Sequence, residues 1–326
     1  MLDFLGNQFD AVFAWLFGAV VRPALYDLGL MNYWDEAYTG TETMLLGVIE
    51  IALLCAMVLP LQRLLPAEPA NEGAAVRTDF IYTLINRLGL LPLITFALTF
   101  PVEGAIESVT HEFGLPRLTL ESMAPWFSMH PLAEFLVYLL LFDLLGYWVH
   151  RAQHSFNWWW ELHAVHHSQQ SMTVWTESRN HFLDDLINAL IIALVARAIG
   201  TPGSQFIWLV FVGRLIESLS HANVRFGYGP AKRLLVDPLF HRWHHGAGIG
   251  HEGHSRGINF GVILPLWDML FHTARFDRAV APTGIRDQLN GRDYGRGLWA
   301  QQARALQRLW VRLGSVFARP PGTERV

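Results

Sequence analysis

The sequence is short of charge and of cysteine. Of its 326 residues only 16% are charged, against about 25% in a soluble domain, while 52% are hydrophobic. That balance excludes an ordinary water-soluble globule and points to helices in a membrane. One cysteine, Cys55, sits in an apolar run, which excludes an internal disulfide and suits a reducing compartment. No GxGxxG follows a strand pattern, so the fingerprint of a flavin or nicotinamide site is missing. HExxH is also missing, and with it the mark of a membrane zinc protease. A net charge of −4 offers no basic surplus for nucleic acid. Residues 1–10 lack the positive start of a cleavable signal peptide.

Histidine is what the chain has. Eight of its 15 histidines fall in three boxes: His150 and His154; His163, His166 and His167; His241, His244 and His245. Neutral imidazole is a ligand for zinc, iron, copper and nickel. In a helix HxxxH sets both rings on one face, and each HxxHH sets an i, i+3 pair on one face with the adjacent ring turned further round. Eight clustered imidazoles have no packing purpose and repel one another once protonated, so a metal site is the reading. A transporter would hold its ligands at mid-membrane, and a bis-histidine cytochrome would space single histidines along paired helices. Neither pattern is present.

A membrane-crossing helix needs about 20 mostly apolar residues. Residues 43–61, 80–100 and 131–149 qualify, and 183–200 with 203–219 read as two more, joined by the turn Thr201-Pro202-Gly203. Residues 11–30 are weaker and fit an interfacial helix, a re-entrant piece or a span. The hairpin returns the chain to the side it left, so all three boxes share one face. Beyond His272 there are ten Arg against four acids, whereas 101–130 carries Glu103, Glu107, Glu112 and Glu121 against Arg117. By the positive-inside rule the boxes are cytoplasmic. An acid inside an apolar span is costly and marks function. Asp143 lies on the face of His154 and suits the task of accepting a ligand's far ring N–H. Its structural alternative is a cap or partner for a neighbouring helix. His221 adds a ninth candidate ligand. Glu217, one turn before it, fits a ligand, a hydrogen-bond acceptor behind the ligands, or a partner for Arg214.

HxxxH, HxxHH, a lone His and a second HxxHH, on helices joined by a hairpin, resemble the fatty acid hydroxylase / sterol desaturase superfamily. Asp143 to Arg151, His221-Ala-Asn223-Val, Asn259-Phe260-Gly261 and Leu264-Pro265-Leu266-Trp267-Asp268 carry the resemblance, over about 131–273. It implies an all-α, polytopic membrane bundle with a cytoplasmic histidine-rich metal-binding cap. Residues 1–130 then form N-terminal membrane helices and loops, 131–273 the catalytic domain, and 274–326 an Arg-rich cytoplasmic tail. It further implies two iron ions on His150, His154, His163, His166, His167, His221, His241, His244 and His245. Molecular oxygen is the co-substrate, and the product is a hydroxylated fatty-acyl, sterol or related lipid. Desaturation and ether-lipid monooxygenation use the same boxes. Asp143, Glu217, Asn259 and Asp268 stand behind the ligands. So does His181, which matches a family histidine that ligates in some members, although Phe182 follows it where relatives have proline. Electrons come from a separate ferredoxin or haem carrier with its reductase. Arg275, Arg278, Arg292, Arg296, Arg304 and Arg308 offer that donor a basic patch, or bind anionic headgroups.

Overall fold

The structure, a computed structural model, describes residues 2–69, 73–89, 119–248, 257–277 and 279–317, with short runs between 93 and 114. His251, His254, Arg278 and much of the expected span 80–100 lie outside the described residues. Among the described residues everything regular is helical, and the one β-type pairing is an isolated bridge between Gly246 and Thr283.

The chain divides into two units, residues 1–53 with 84–116, and residues 54–83 with 117–326. In the first, α1 (Leu2–Leu16) runs through a π-helical segment, Phe17–Val21, into α2 (Arg22–Asp27). Phe17 meets Trp34 edge-on at 4.8 Å, and Phe13 meets Tyr38 at 4.5 Å, which fastens this run to α3 (Trp34–Leu53). Glu50 and Arg87 form a buried ion pair.

The second unit opens with the π-helical Leu54–Val58 and α4 (Leu59–Leu64), followed by α5 (Ala74–Arg87), which contributes residues 74–83. A short α6 (Leu120–Met123) precedes α7 (Pro131–Ser155), α8 (Asn157–His167), α9 (Phe182–Ala198) and α10 (Gly203–His221). Then come α11 (Pro238–His244), α12 (Leu266–Leu270) and α13 (Leu298–Phe317). Several starts are written locally. Pro131 and Pro238 take first-turn positions, where a missing N–H costs nothing, and the Asp237 carboxylate accepts from Phe240 N at 2.8 Å to cap α11.

Among the described residues, three stretches are long and apolar enough to cross a membrane: Asn7–Asp27, Met31–Leu64 and Pro131–Ser155. The first takes in residues 11–27 of the ambiguous 11–30, and the other two contain the expected 43–61 and 131–149. The hairpin forms, with Gly200 in the left-handed region at its turn. Its arms are not among the three stretches. Helix α9 has 17 residues, and Arg214 and Glu217 interrupt α10.

Residues 279–317 are folded onto the rest of this unit. Helix α13 lies along α8, where Arg292, Arg308 and Arg312 converge on Glu161 at 3.6, 3.4 and 3.1 Å. At its other end Gln302 accepts from Phe182 N and donates to Tyr82 Oη. Of the expected basic patch, Arg308 is packed onto Glu161, while Arg275, Arg292 and Arg304 stay about half exposed. Arg304 lies 3.5 Å from Asp293, and Arg275 stacks on Trp243 at 4.0 Å beside Asp277.

Candidate metal centre

Helix α7 leaves its apolar run with His150 and His154 one turn apart. The chain turns at Phe156, and α8 follows, buried from Trp159 onward. His221 is the last residue of α10, and α11 with the next residue brings His241, His244 and His245. These elements converge so that nine imidazoles form two groups. His150, His154, His163, His167 and His244 make one, and His166, His221, His241 and His245 the other, with the offered nitrogens of each group within 4.8 Å of one another. The groups abut, since the rings of His167 and His245 stack at 4.4 Å.

Helical spacing anticipated the convergence but not the partition. The i, i+4 pairs stay together: 150 with 154, 163 with 167, 241 with 245. The middle histidine of each HxxHH goes to the other group.

Four rings have their tautomer set by an acceptor. His150 Nδ1–H donates to Phe260 O at 2.9 Å, His163 to Asp184 Oδ2 at 2.9 Å, His221 to Glu217 O at 2.7 Å and His244 to Ile258 O at 2.7 Å. Each therefore turns an Nε2 lone pair inward. His163 Nε2 is buried with no hydrogen-bond partner among the described residues. His221 Nε2 lies 3.2 Å from His166 Nε2 and 2.9 Å from His241 Nε2, and His244 Nε2 lies 3.1 Å from His167 Nε2. Converging lone pairs at such distances need a shared cation or a donated proton. The donor set therefore fits metal: uncharged nitrogens, fixed in orientation, out of water. Burial, and then the neighbouring rings, hold His166, His167, His241, His244 and His245 well below the usual imidazole range, which keeps them in the neutral, ligating form.

The residues expected behind the ligands are arranged differently from expectation. Asp143 meets no histidine. Its carboxylate accepts from Ile263 N at 2.8 Å, Leu264 N at 3.1 Å and Trp267 Nε1 at 2.9 Å, because the 260–267 loop brings it closer donors than any ring does. Asp268 accepts from Phe260 N at 2.8 Å, Gly261 N at 2.6 Å and Thr273 Oγ1 at 2.6 Å. Together the two acids clamp the loop whose Phe260 carbonyl holds His150. Asn259, left-handed at φ 57°, ties Phe240 O and the Arg275 backbone together and so fixes the neighbouring Ile258 carbonyl under His244. Glu217 acts through its backbone carbonyl on His221, and its carboxylate is in neither group.

His181 is the clearest departure. Its Nδ1 accepts from Leu183 N at 3.0 Å, capping α9, and its Nε2 lies 3.2 Å from Gln302 O. Both ring nitrogens are engaged and it belongs to neither group, so here it caps α9. The acid it positions, Asp184, was missed. Besides His163, Asp184 accepts from Gln153 Nε2 at 2.8 Å and Trp159 Nε1 at 2.6 Å. Its signal was the one that singled out Asp143, an acid at the edge of an apolar helix.

Membrane-length helices and nine imidazoles gathered into two metal-sized groups give this chain the features of a histidine-box membrane protein. Comparison with known proteins points the same way: residues 135–273 match the family model described as fatty acid hydroxylase. The chain is 27% identical to ornithine lipid hydroxylase OlsE of Rhizobium tropici over 293 residues, covering 89% of this chain and 84% of that protein. It is 26% identical to alkylglycerol monooxygenase of Homo sapiens over 148 residues, 45% of this chain and 32% of that one. It is also 26% identical to methylsterol monooxygenase 1-1 of Arabidopsis thaliana over 199 residues, 60% of this chain and 59% of that one. The chain thus spans most of the first relative but only about a third of the second. No solved structure matches.

Proposed function

We propose that this chain is an oxygen-dependent membrane lipid hydroxylase with two iron ions, five histidines at one and four at the other. The observation that carries the reading is the partition of nine imidazoles, eight of them buried, into two adjacent groups, since one ion cannot use nine ligands. Iron bound there, with positions left open, would supply oxygen activation for attack on an unactivated C–H bond. The protein's own part is orientation and exclusion. Asp184 and the carbonyls of Phe260, Ile258 and Glu217 point four rings, while burial keeps water out.

The apolar helix α7 runs straight into the first box, so an acyl chain or sterol lying along it reaches the metals from the membrane. The relatives act on an ornithine lipid, alkylglycerols and methylsterols, which fits a lipid substrate here. Desaturation and ether-lipid monooxygenation are the alternative outcomes of the same site. The metal centre is placed on the cytoplasmic face, where a separate electron carrier delivers two electrons per turnover.

The test combines metal analysis of the folded protein with lipid profiling of a deletion strain against its complemented parent. Two ions per chain and loss of an oxygenated lipid are expected. One ion or none ends the two-metal reading, and an unchanged lipid profile ends the hydroxylase reading.

A further inference from the structure

Helix α13 keeps an apolar stripe that no part of the chain covers among the described residues. Trp299, Ala303, Leu306, Trp310 and Leu313 recur at i, i+4, i+7, i+11 and i+14, one face of a helix. Trp299 and Trp310 are 77% and 78% exposed, and Leu306 and Leu313 are exposed as well. The opposite face is fully used. Gln301, Gln302 and Ala305 are buried, and Arg308 and Arg312 reach Glu161.

Those contacts fix where the helix lies. Glu161 stands six residues past Ser155, the end of the membrane-length helix α7. Gln302 holds Phe182 N and the His181 ring at the start of α9. Helix α13 therefore runs between the point where one long apolar helix ends and the point where the hairpin departs. Phe156 and Trp158, at the first of these points, are exposed too. Two tryptophans and two leucines on one side, with Arg304 on the flank, are the composition of a helix lying in the headgroup boundary of a bilayer. Tryptophan is the residue that favours that layer.

We propose that α13 is an interfacial membrane helix whose Trp299–Leu306–Trp310–Leu313 stripe is seated in the lipid surface of the leaflet next to the metal centre. The stripe continues the protein's membrane boundary beyond α7 and lays a greasy floor beside the histidine cap. This holds whatever the metals do, and its failure is distinguishable from theirs.

The test is site-directed spin labelling of the full, metal-loaded chain in phosphatidylcholine–phosphatidylglycerol vesicles. In a Cys55→Ser background, single cysteines replace Trp299, Leu306, Trp310 or Leu313 on the stripe, and Ala300, Arg304 or Gln307 on the flank. Labels on the stripe should collide with oxygen, which partitions into lipid, and be shielded from a water-soluble nickel chelate. Labels on the flank should show the reverse, giving a period of about 3.6 residues. Stripe labels as open to nickel as the flank would overturn the proposal. Stripe labels shielded from both reagents would overturn it in favour of a second copy or another protein. Metal content equal to the parent's certifies each variant's fold, and four stripe positions leave the period readable if one fails.

Discussion

Asp184→Asn isolates one hydrogen bond at the metal centre. The carboxylate takes Gln153 and Trp159 on Oδ1 and His163 Nδ1–H on Oδ2. Asparagine can keep its carbonyl on the first two, but its NH2 then faces the His163 Nδ1–H, donor against donor. His163 relieves this by moving its proton to Nε2, which fills the lone pair now aimed into the five-histidine group. The lost bond is to a charged acceptor, worth about 1.5–3 kcal/mol, or roughly 10–150-fold in metal affinity. Measured losses behind metal-bound histidines run about 10–100-fold, so two routes to the magnitude agree. The assay is metal content after dialysis against graded chelator, with thermal unfolding alongside. Asp184→Ala is the contrast, because it strands the buried Gln153 and Trp159 donors at about 1–3 kcal/mol each and should lower the melting temperature as well. Unchanged affinity and activity in Asp184→Asn would refute the claim that this carboxylate sets the His163 tautomer.

Three further outcomes follow from the same contacts. His181→Phe removes the cap of α9 and should cost about 1 kcal/mol of stability while leaving two metals in place; loss of an ion at unchanged stability would make His181 a ligand after all. Asp143→Asn should loosen the 260–267 loop and weaken metal binding less than Asp184→Asn does, because it reaches His150 only through the Phe260 carbonyl; an equal or greater loss would restore direct orientation of a ring. In metal-free protein, His166, His167, His241, His244 and His245 titrate below the usual 6.5, so the unfolded chain takes up protons first as pH falls. Their contribution is complete above about pH 6.5 and is lost on acidification, and a melting temperature that is flat or rising from pH 7 to 5 would contradict it.

The ligand candidates were legible because helix geometry is local. Spacing of three and four residues states which side chains share a face, whatever the rest of the chain does. Membrane character was legible for a similar reason, since composition over 20 residues decides it. The partners behind the ligands were not legible. His163 and Asp184 are 21 residues apart, and Asp143 finds its donors 120 to 124 residues away. Both acids carried the same signal, a charge at an apolar helix, and that signal says an acid is needed without saying by whom. Three of the four groups that set a tautomer are backbone carbonyls, which leave no mark in residue type. The pairing of the arginines after 273 was not legible for a related reason. Their count predicts a charged surface, but three of them share one glutamate about 130–150 residues earlier, a pairing only the packing of α13 on α8 reveals.

The partition of the boxes leads to the last prediction. With 3.6 residues per turn, residue i+4 lies about 40° round from i, while i+3 lies about 60° to the other side. An HxxHH box therefore faces two sites, and HxxxH faces one. The second box gives two ligands to the larger group and one to the smaller, and the third box does the reverse. The first box adds two to the larger group and His221 one to the smaller, which yields five and four. His154→Ala and His221→Ala should accordingly strike different ions. Each should abolish turnover, but each should leave about one metal per chain, held by the untouched group. The double variant should hold none tightly. His111→Ala and His130→Ala, outside both groups, should keep two ions and full activity. The readouts are metal-to-protein ratio and the iron spectrum, since a single remaining ion loses any magnetic coupling to its neighbour. If either single variant lost both ions at once in folded protein, the two groups would be one cooperative site, and the independent five-and-four assignment would fail.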